Sequence, residues 1–182
     1  VMSIFSQGFQ LRNALEQGHF HPAFQPICNL KSGEPMAYEV LARMRINGLV
    51  IQAKDFITVA EELGLTRYVD LHIMVKALKL TPPEYALFLN VDITSFNDKD
   101  FVGELSQLLK PACDEGRSIT IEITERETIP LSDSLHQDIQ SLRALGCQLA
   151  LDDFGSGYST YNFLNQFRPD YLKIEGSFVR GM

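Results

Sequence analysis

Cysteine is scarce: Cys28, Cys113 and Cys147 are the three in 182 residues, with no short spacing among them. An odd, dispersed count excludes a disulfide framework and a CxxC zinc site. A reducing compartment is the simplest reading. Basic residues are outnumbered, 16 Lys and Arg against 23 Asp and Glu, for a formal charge of −7. That argues against a nucleic-acid polymer as partner, which needs a basic face. A small anionic ligand stays open, because metal ions invert the local field. No apolar run approaches the ~20 residues of a membrane span. The start has no basic region followed by a long apolar core, hence no signal peptide. Val1 before Met2 reads as a cloning scar or a cut from a longer chain. A cytoplasmic segment is expected, even from a parent that a membrane anchors. Low-complexity tracts, linkers and fixed-period repeats are also missing.

What is present is ordinary globular usage, 45% hydrophobic and 21% charged, at a length suited to one domain. Apolar spacing predicts a helix over 6–18, closed by Gly18. Phe24 to Cys28 and Met36 to Ala42 read as strands, and turn chemistry at Lys31 to Pro35 suggests an antiparallel hairpin. Helices are expected over 54–63 and 66–80, then about 98–109, 131–145 and 160–166. Strands are expected over 86–89, 119–121, 148–151 and 170–174. After the hairpin, strands alternate with helices, which indicates right-handed crossovers and a parallel sheet. An open doubly wound sheet and a closed (β/α) barrel both fit. Gly155-Ser156-Gly157 lacks a third glycine and comes late, so a dinucleotide-binding fold has little support.

The informative feature is how the apolar runs end. They lead to Glu39, Asn90, Glu122, Asp152 with Asp153, and Lys173 with Glu175. In a barrel those ends converge on one mouth, where active sites are built. Unpaired carboxylates gathered there repel one another, and a low local dielectric sharpens the conflict. One or two divalent cations resolve it, and oxygen-only donors suit Mg²⁺, Mn²⁺ or Ca²⁺ rather than zinc. Any one such acid is more often a helix cap or surface ion pair; five in register weigh against that. Lys173 suits phosphate charge stabilisation or a structural ion pair. Glu125 reads as capping or supporting, and Asp92 is ambiguous. Asp153-Phe154-Gly155 invites a kinase reading, but no Gly-rich ATP loop or His-Arg-Asp loop precedes it. An enolase-type metal barrel is the fairer rival.

From Phe24 to Val179 these residues resemble the EAL domain family of cyclic-di-GMP phosphodiesterases. Glu39-Val40-Leu41-Ala42-Arg43 resembles the signature Glu-Ala-Leu and its arginine, with Val40 in place of alanine. Phe24-Gln25-Pro26-Ile27, Leu89-Asn90-Val91-Asp92, Glu122-Ile123-Thr124-Glu125, Asp152 to Ser159, and Lys173-Ile174-Glu175 are similar to further family blocks, in order. The resemblance implies an α/β fold, a TIM-type (β/α) barrel with an antiparallel first strand. It implies metal ligands Glu39, Asn90, Glu122, Asp152 and Asp153, and catalytic roles for Glu39, Asp153, Lys173 and Glu125. Lys173 would assist the attacking water, and Glu125 would anchor the loop after Asp153. Gln25, Leu41 and Arg43 would line the substrate pocket. The expected reaction is two-metal, in-line hydrolysis of cyclic-di-GMP to linear pGpG, with Mg²⁺ or Mn²⁺ and with Ca²⁺ binding but inhibiting.

The departures are Asp92 for serine, Glu175 for aspartate, and the end of the chain. Nine residues follow Lys173, whereas a full barrel takes roughly 250 residues. The expectation is therefore a single EAL domain over 1–182, incomplete at the C-terminus and lacking the last two strand–helix units. It would be weakly active or inactive alone, and a homodimer or an association through the open barrel edge is expected. The rival function is a catalytically inactive cyclic-di-GMP receptor or protein-interaction module of the same fold.

Overall fold

The computed structural model describes residues 4–98, 100–124, 133–154, 164–165 and 167–176. Glu125, Gly155-Ser156-Gly157 and most of the helix expected over 160–166 lie outside the described residues. The chain divides into two compact units, Val1–Tyr85 and Ala86–Met182.

The first unit contains α1 (Ile4–Glu16), β1 (Phe20–Cys28), β2 (Pro35–Ile46), β3 (Leu49–Gln52), α2 (Ile57–Glu62) and α3 (Thr66–Leu80). The expected hairpin forms: β1 and β2 pair antiparallel, with Gln25 opposite Glu39 and Ala23 opposite Leu41. Both strands run further than their apolar runs suggest. Phe20 lies opposite Met44, and both are buried. Burial on that face keeps the ladder intact past Ala42. β3, not expected from sequence, pairs with β2 across Asn47-Gly48, whose φ values of 50° and 79° are those of a two-residue hairpin turn.

α3 packs on β1 and β2 through Val69, Ile73, Met74 and Ala77, all buried at helical spacing. The Phe20 ring meets Phe56 edge-on at 5.3 Å. The Lys76 ammonium donates to the carbonyls of Gly18 at 2.7 Å and Phe20 at 2.5 Å, fastening α3 to the entry of β1.

His72, one turn before Lys76 on α3, has a buried Nε2 with no hydrogen-bond partner. Burial, and then the nearby Lys76 charge, hold its imidazole below the usual histidine range. The unfolded chain therefore takes up this proton first as pH falls, so folding stability is lost below about pH 6.5, the ordinary histidine value. The loss ends where the folded imidazole itself protonates. Urea unfolding between pH 7.5 and 5 is expected to show this slope, and His72→Phe is expected to flatten it.

The second unit contains β4 (Leu87–Val91), α4 (Phe101–Asp114), β5 (Ile119–Thr124), α5 (Asp133–Ala144), β6 (Gln148–Phe154) and β7 (Tyr171–Ile174). Its strands run β4-β5-β6-β7, each parallel to the next. Each βα connection returns the chain to the same end of the sheet, as the alternation predicts. Ile119, Ile121, Ile123, Leu149 and Leu151 are buried and make one face. The other face carries Phe88 and Asn90, Thr120 and Glu122, Ala150 and Asp152, Tyr171 and Lys173. α4 runs past its expected end at Leu109 to Asp114, with Pro111 inside it. Gly116 at φ 82° ends the turn that follows. Among the described residues no helix is long and apolar enough to cross a membrane.

Candidate active site

The parallel register of the second unit sets the site. Asn90 on β4 lies level with Glu122 on β5. Thr124 lies level with Asp152 on β6, so Asp152 stands one pleat further toward the carboxyl end than Glu122. Ala150 lies level with Tyr171 on β7, which brings Lys173 to the height of Asp152 on the same face.

The side chains meet. The Lys173 ammonium is 2.8 Å from Glu122 Oε1 and 3.0 Å from Asp152 Oδ2. Glu122 is 1% exposed, so its carboxylate is withdrawn from water, and the ammonium that faces it stabilises the charge. Asp152 divides its oxygens: Oδ1 accepts from the Asp153 backbone N–H at 2.9 Å, while Oδ2 accepts from Lys173. A carboxylate oxygen of Glu122 and one of Asp152 lie within 4.8 Å of each other. Two such oxygens can share one hard divalent ion after a small adjustment, since Mg–O bonds are roughly 2.1 Å. The donor set of carboxylates and an amide fits that class of ion.

The sheet bulges just beyond this cluster. The β6–β7 register slips between Leu151 and Phe154, and Asp153 takes φ 54°. A left-handed aspartate at a bulge costs backbone energy and turns its carboxylate out of strand alternation. Below the acids, the Phe88 and Tyr171 rings pack at 5.2 Å, and the Tyr171 hydroxyl and the Gln148 side-chain oxygen lie 3.5 Å apart. This pair floors the charged row with apolar surface.

A profile of the EAL domain family matches residues 9–182. The chain belongs to the EAL domain family. It is 33% identical over 180 residues to the cyclic di-GMP phosphodiesterase PdeF of Escherichia coli K12, covering 95% of this chain and 24% of that protein. It is 32% identical over 175 residues to the cyclic di-GMP phosphodiesterase PdeL of the same strain, covering 92% of this chain and 48% of that one. The chain thus spans between a quarter and about half of these relatives. The solved FimX EAL domain from Pseudomonas aeruginosa, bound to c-di-GMP, is 27% identical, with a TM-score of 0.78 over 98% of this chain and 74% of that one. The fold class is therefore the α/β, TIM-type fold of EAL domains.

In this EAL chain the structure brings together Glu122, Asp152 and Lys173, with Asn90 in register beside them. In the first unit Glu39 is half-buried on β2, opposite the exposed Gln25. Leu41 and Arg43 follow at alternate positions on the same face, and Arg43 Nη1 donates to the Ala42 carbonyl at 2.9 Å. Asp92 resolves into a cap: its Oδ1 accepts from the Thr94 N–H and hydroxyl, each at 2.8 Å. Sequence reasoning missed Asp170 and Arg143. Asp170 Oδ2 accepts from the Leu149 N–H at 2.8 Å and pairs with Arg143 at 3.2 Å. Arg143 also donates to the Arg168 carbonyl. These bonds fasten the entry of β7 to β6 and so fix the height of Lys173. The only sequence signal was an aspartate directly before a strand.

Proposed function

We propose that this chain is the catalytic EAL domain of a bacterial signalling protein and hydrolyses cyclic di-GMP to linear pGpG. The observation that supports it best is the Lys173 ammonium shared between Glu122 and Asp152 at adjacent strand ends, in a chain of a family whose named relatives include phosphodiesterases of this substrate. Residues 1–182 form one domain in this reading. Glu39, Asn90, Glu122 and Asp152 hold Mg²⁺ or Mn²⁺, with Asp153 serving a second ion and Ca²⁺ binding without turnover. When bound, such ions supply Lewis-acid stabilisation and a more acidic water.

The chain's own residues do the rest. Lys173 Nζ donates to the attacking water and orients it for in-line displacement. Arg43 pairs with a substrate phosphate oxygen, and Gln25 and Leu41 line the nucleotide pocket. Glu125 holds the loop that follows Asp153. The setting is cytoplasmic. Two copies associate along the outer side of β7, where Leu172 is 47% and Ile174 61% exposed.

The test is product analysis under single-turnover conditions, with enzyme in excess over cyclic di-GMP and Mg²⁺ present. Linear pGpG is expected, with EDTA abolishing it and Ca²⁺ permitting binding alone. Binding without pGpG in Mg²⁺ identifies a receptor instead, and absence of both signals removes the nucleotide assignment.

A further inference from the structure

Among the described residues, a second cluster of reactive side chains lies at the opposite end of β6. Cys147 immediately precedes that strand, and Cys113 lies in the last turn of α4. Their sulfurs are 3.8 Å apart, within a weak S–H···S hydrogen bond. The two are 34 positions apart in sequence, so the fold, not local chain geometry, brings them together. Neither residue belongs to the phosphodiesterase site.

We propose that Cys113 and Cys147 form an oxidation site, closing to an intramolecular disulfide in the presence of a peroxide. The gap of 3.8 Å must shrink to the roughly 2 Å of an S–S bond. Cys113 is half-buried and Cys147 is buried, 4% exposed. Oxidant therefore reaches Cys113 first. The Cys147 thiol is pushed up to about 12, by burial and then by Cys113 beside it, so it does not supply the first thiolate near neutral pH.

The chemistry balances in two steps. The Cys113 thiolate attacks one peroxide oxygen, the O–O bond breaks, and the departing hydroxide takes a proton to become water. Cys113 is then a sulfenic acid. The Cys147 sulfur attacks the Cys113 sulfur, the S–S bond forms, the S–O bond breaks, and the second hydroxide leaves with the Cys147 proton as water. Two thiols and one hydrogen peroxide give one disulfide and two waters. The 3.8 Å approach holds the Cys147 sulfur beside the Cys113 sulfenic acid, which favours the second step over deeper oxidation of Cys113.

The experiment treats the whole chain with hydrogen peroxide, alkylates the remaining thiols in denaturant, and reads peptides by mass without reduction. The expected result is loss of two alkylatable thiols, a peptide joining Cys113 to Cys147, and reversal by dithiothreitol. Cys113→Ser is expected to abolish the cross-link and leave Cys147 alkylatable. The proposal is overturned if Cys113 and Cys147 are recovered alkylated while exposed Cys28 is oxidised, or if Cys113 proceeds to sulfinic acid with Cys147 still a free thiol.

Discussion

Lys173→Met is expected to lower the unfolding free energy of the metal-free chain by about 3 kcal/mol, the cost of stranding a buried charge. The effect should appear as a fall in urea midpoint with the denaturant slope unchanged. Glu122 drives it. Its carboxylate has no side-chain exposure, against 25% for Lys173 and 21% for Asp152. Water cannot replace the ammonium at Glu122 as readily as it can at Asp152. Methionine keeps most of the length and apolar stem of lysine, so the loss reports charge rather than volume. Adding Mg²⁺ should then raise the variant's midpoint more than the parent's, because a divalent ion supplies positive charge in place of the lost ammonium. Equal midpoints for variant and parent without metal would mean that the ammonium contributes nothing to holding the carboxylates together.

The same cluster shows why some of this protein was legible in its sequence. The alternation of Ile119, Ile121 and Ile123 with Thr120 and Glu122 fixes which face Glu122 occupies. The period of two then carries Asn90, Asp152 and Lys173 to that face once the strands pair in parallel. α3 was readable to the residue because its apolar spacing continues from Thr66 to Leu80. The strand β3 was overlooked although Asn47-Gly48 is a hairpin signal. Its residues Leu49, Val50 and Ile51 form an apolar run without alternation, and Leu49 and Val50 are exposed. Other features depend on contacts between distant segments. Nothing near Asp170 in sequence announces its bonds to Leu149 and Arg143, and nothing near Cys113 announces Cys147. The ends of β1 and β2 were misjudged because the pairing of Phe20 with Met44 extends a ladder that neither segment signals alone.

Asp152→Asn is expected to reduce single-turnover hydrolysis of cyclic di-GMP in Mg²⁺ by roughly 10³-fold, since in the proposed site a lost charge on a metal-binding oxygen removes several kcal/mol of transition-state stabilisation. Asparagine matches aspartate in size, and its carbonyl oxygen can still accept the Asp153 N–H that Oδ1 accepts now at 2.9 Å. The left-handed backbone at Asp153 should therefore persist. What changes is the second atom, an NH₂ group facing the Lys173 ammonium, which removes an ion pair of 3.0 Å and sets donor against donor. Lys173 still keeps its pairing with Glu122, at 2.8 Å. Affinity for Mg²⁺, read by calorimetry without nucleotide, should fall together with the rate, while affinity for the nucleotide should fall far less. A rate loss with unchanged Mg²⁺ affinity would make Asp152 a partner that orients Lys173 rather than a ligand. An unchanged rate would remove it from the site altogether.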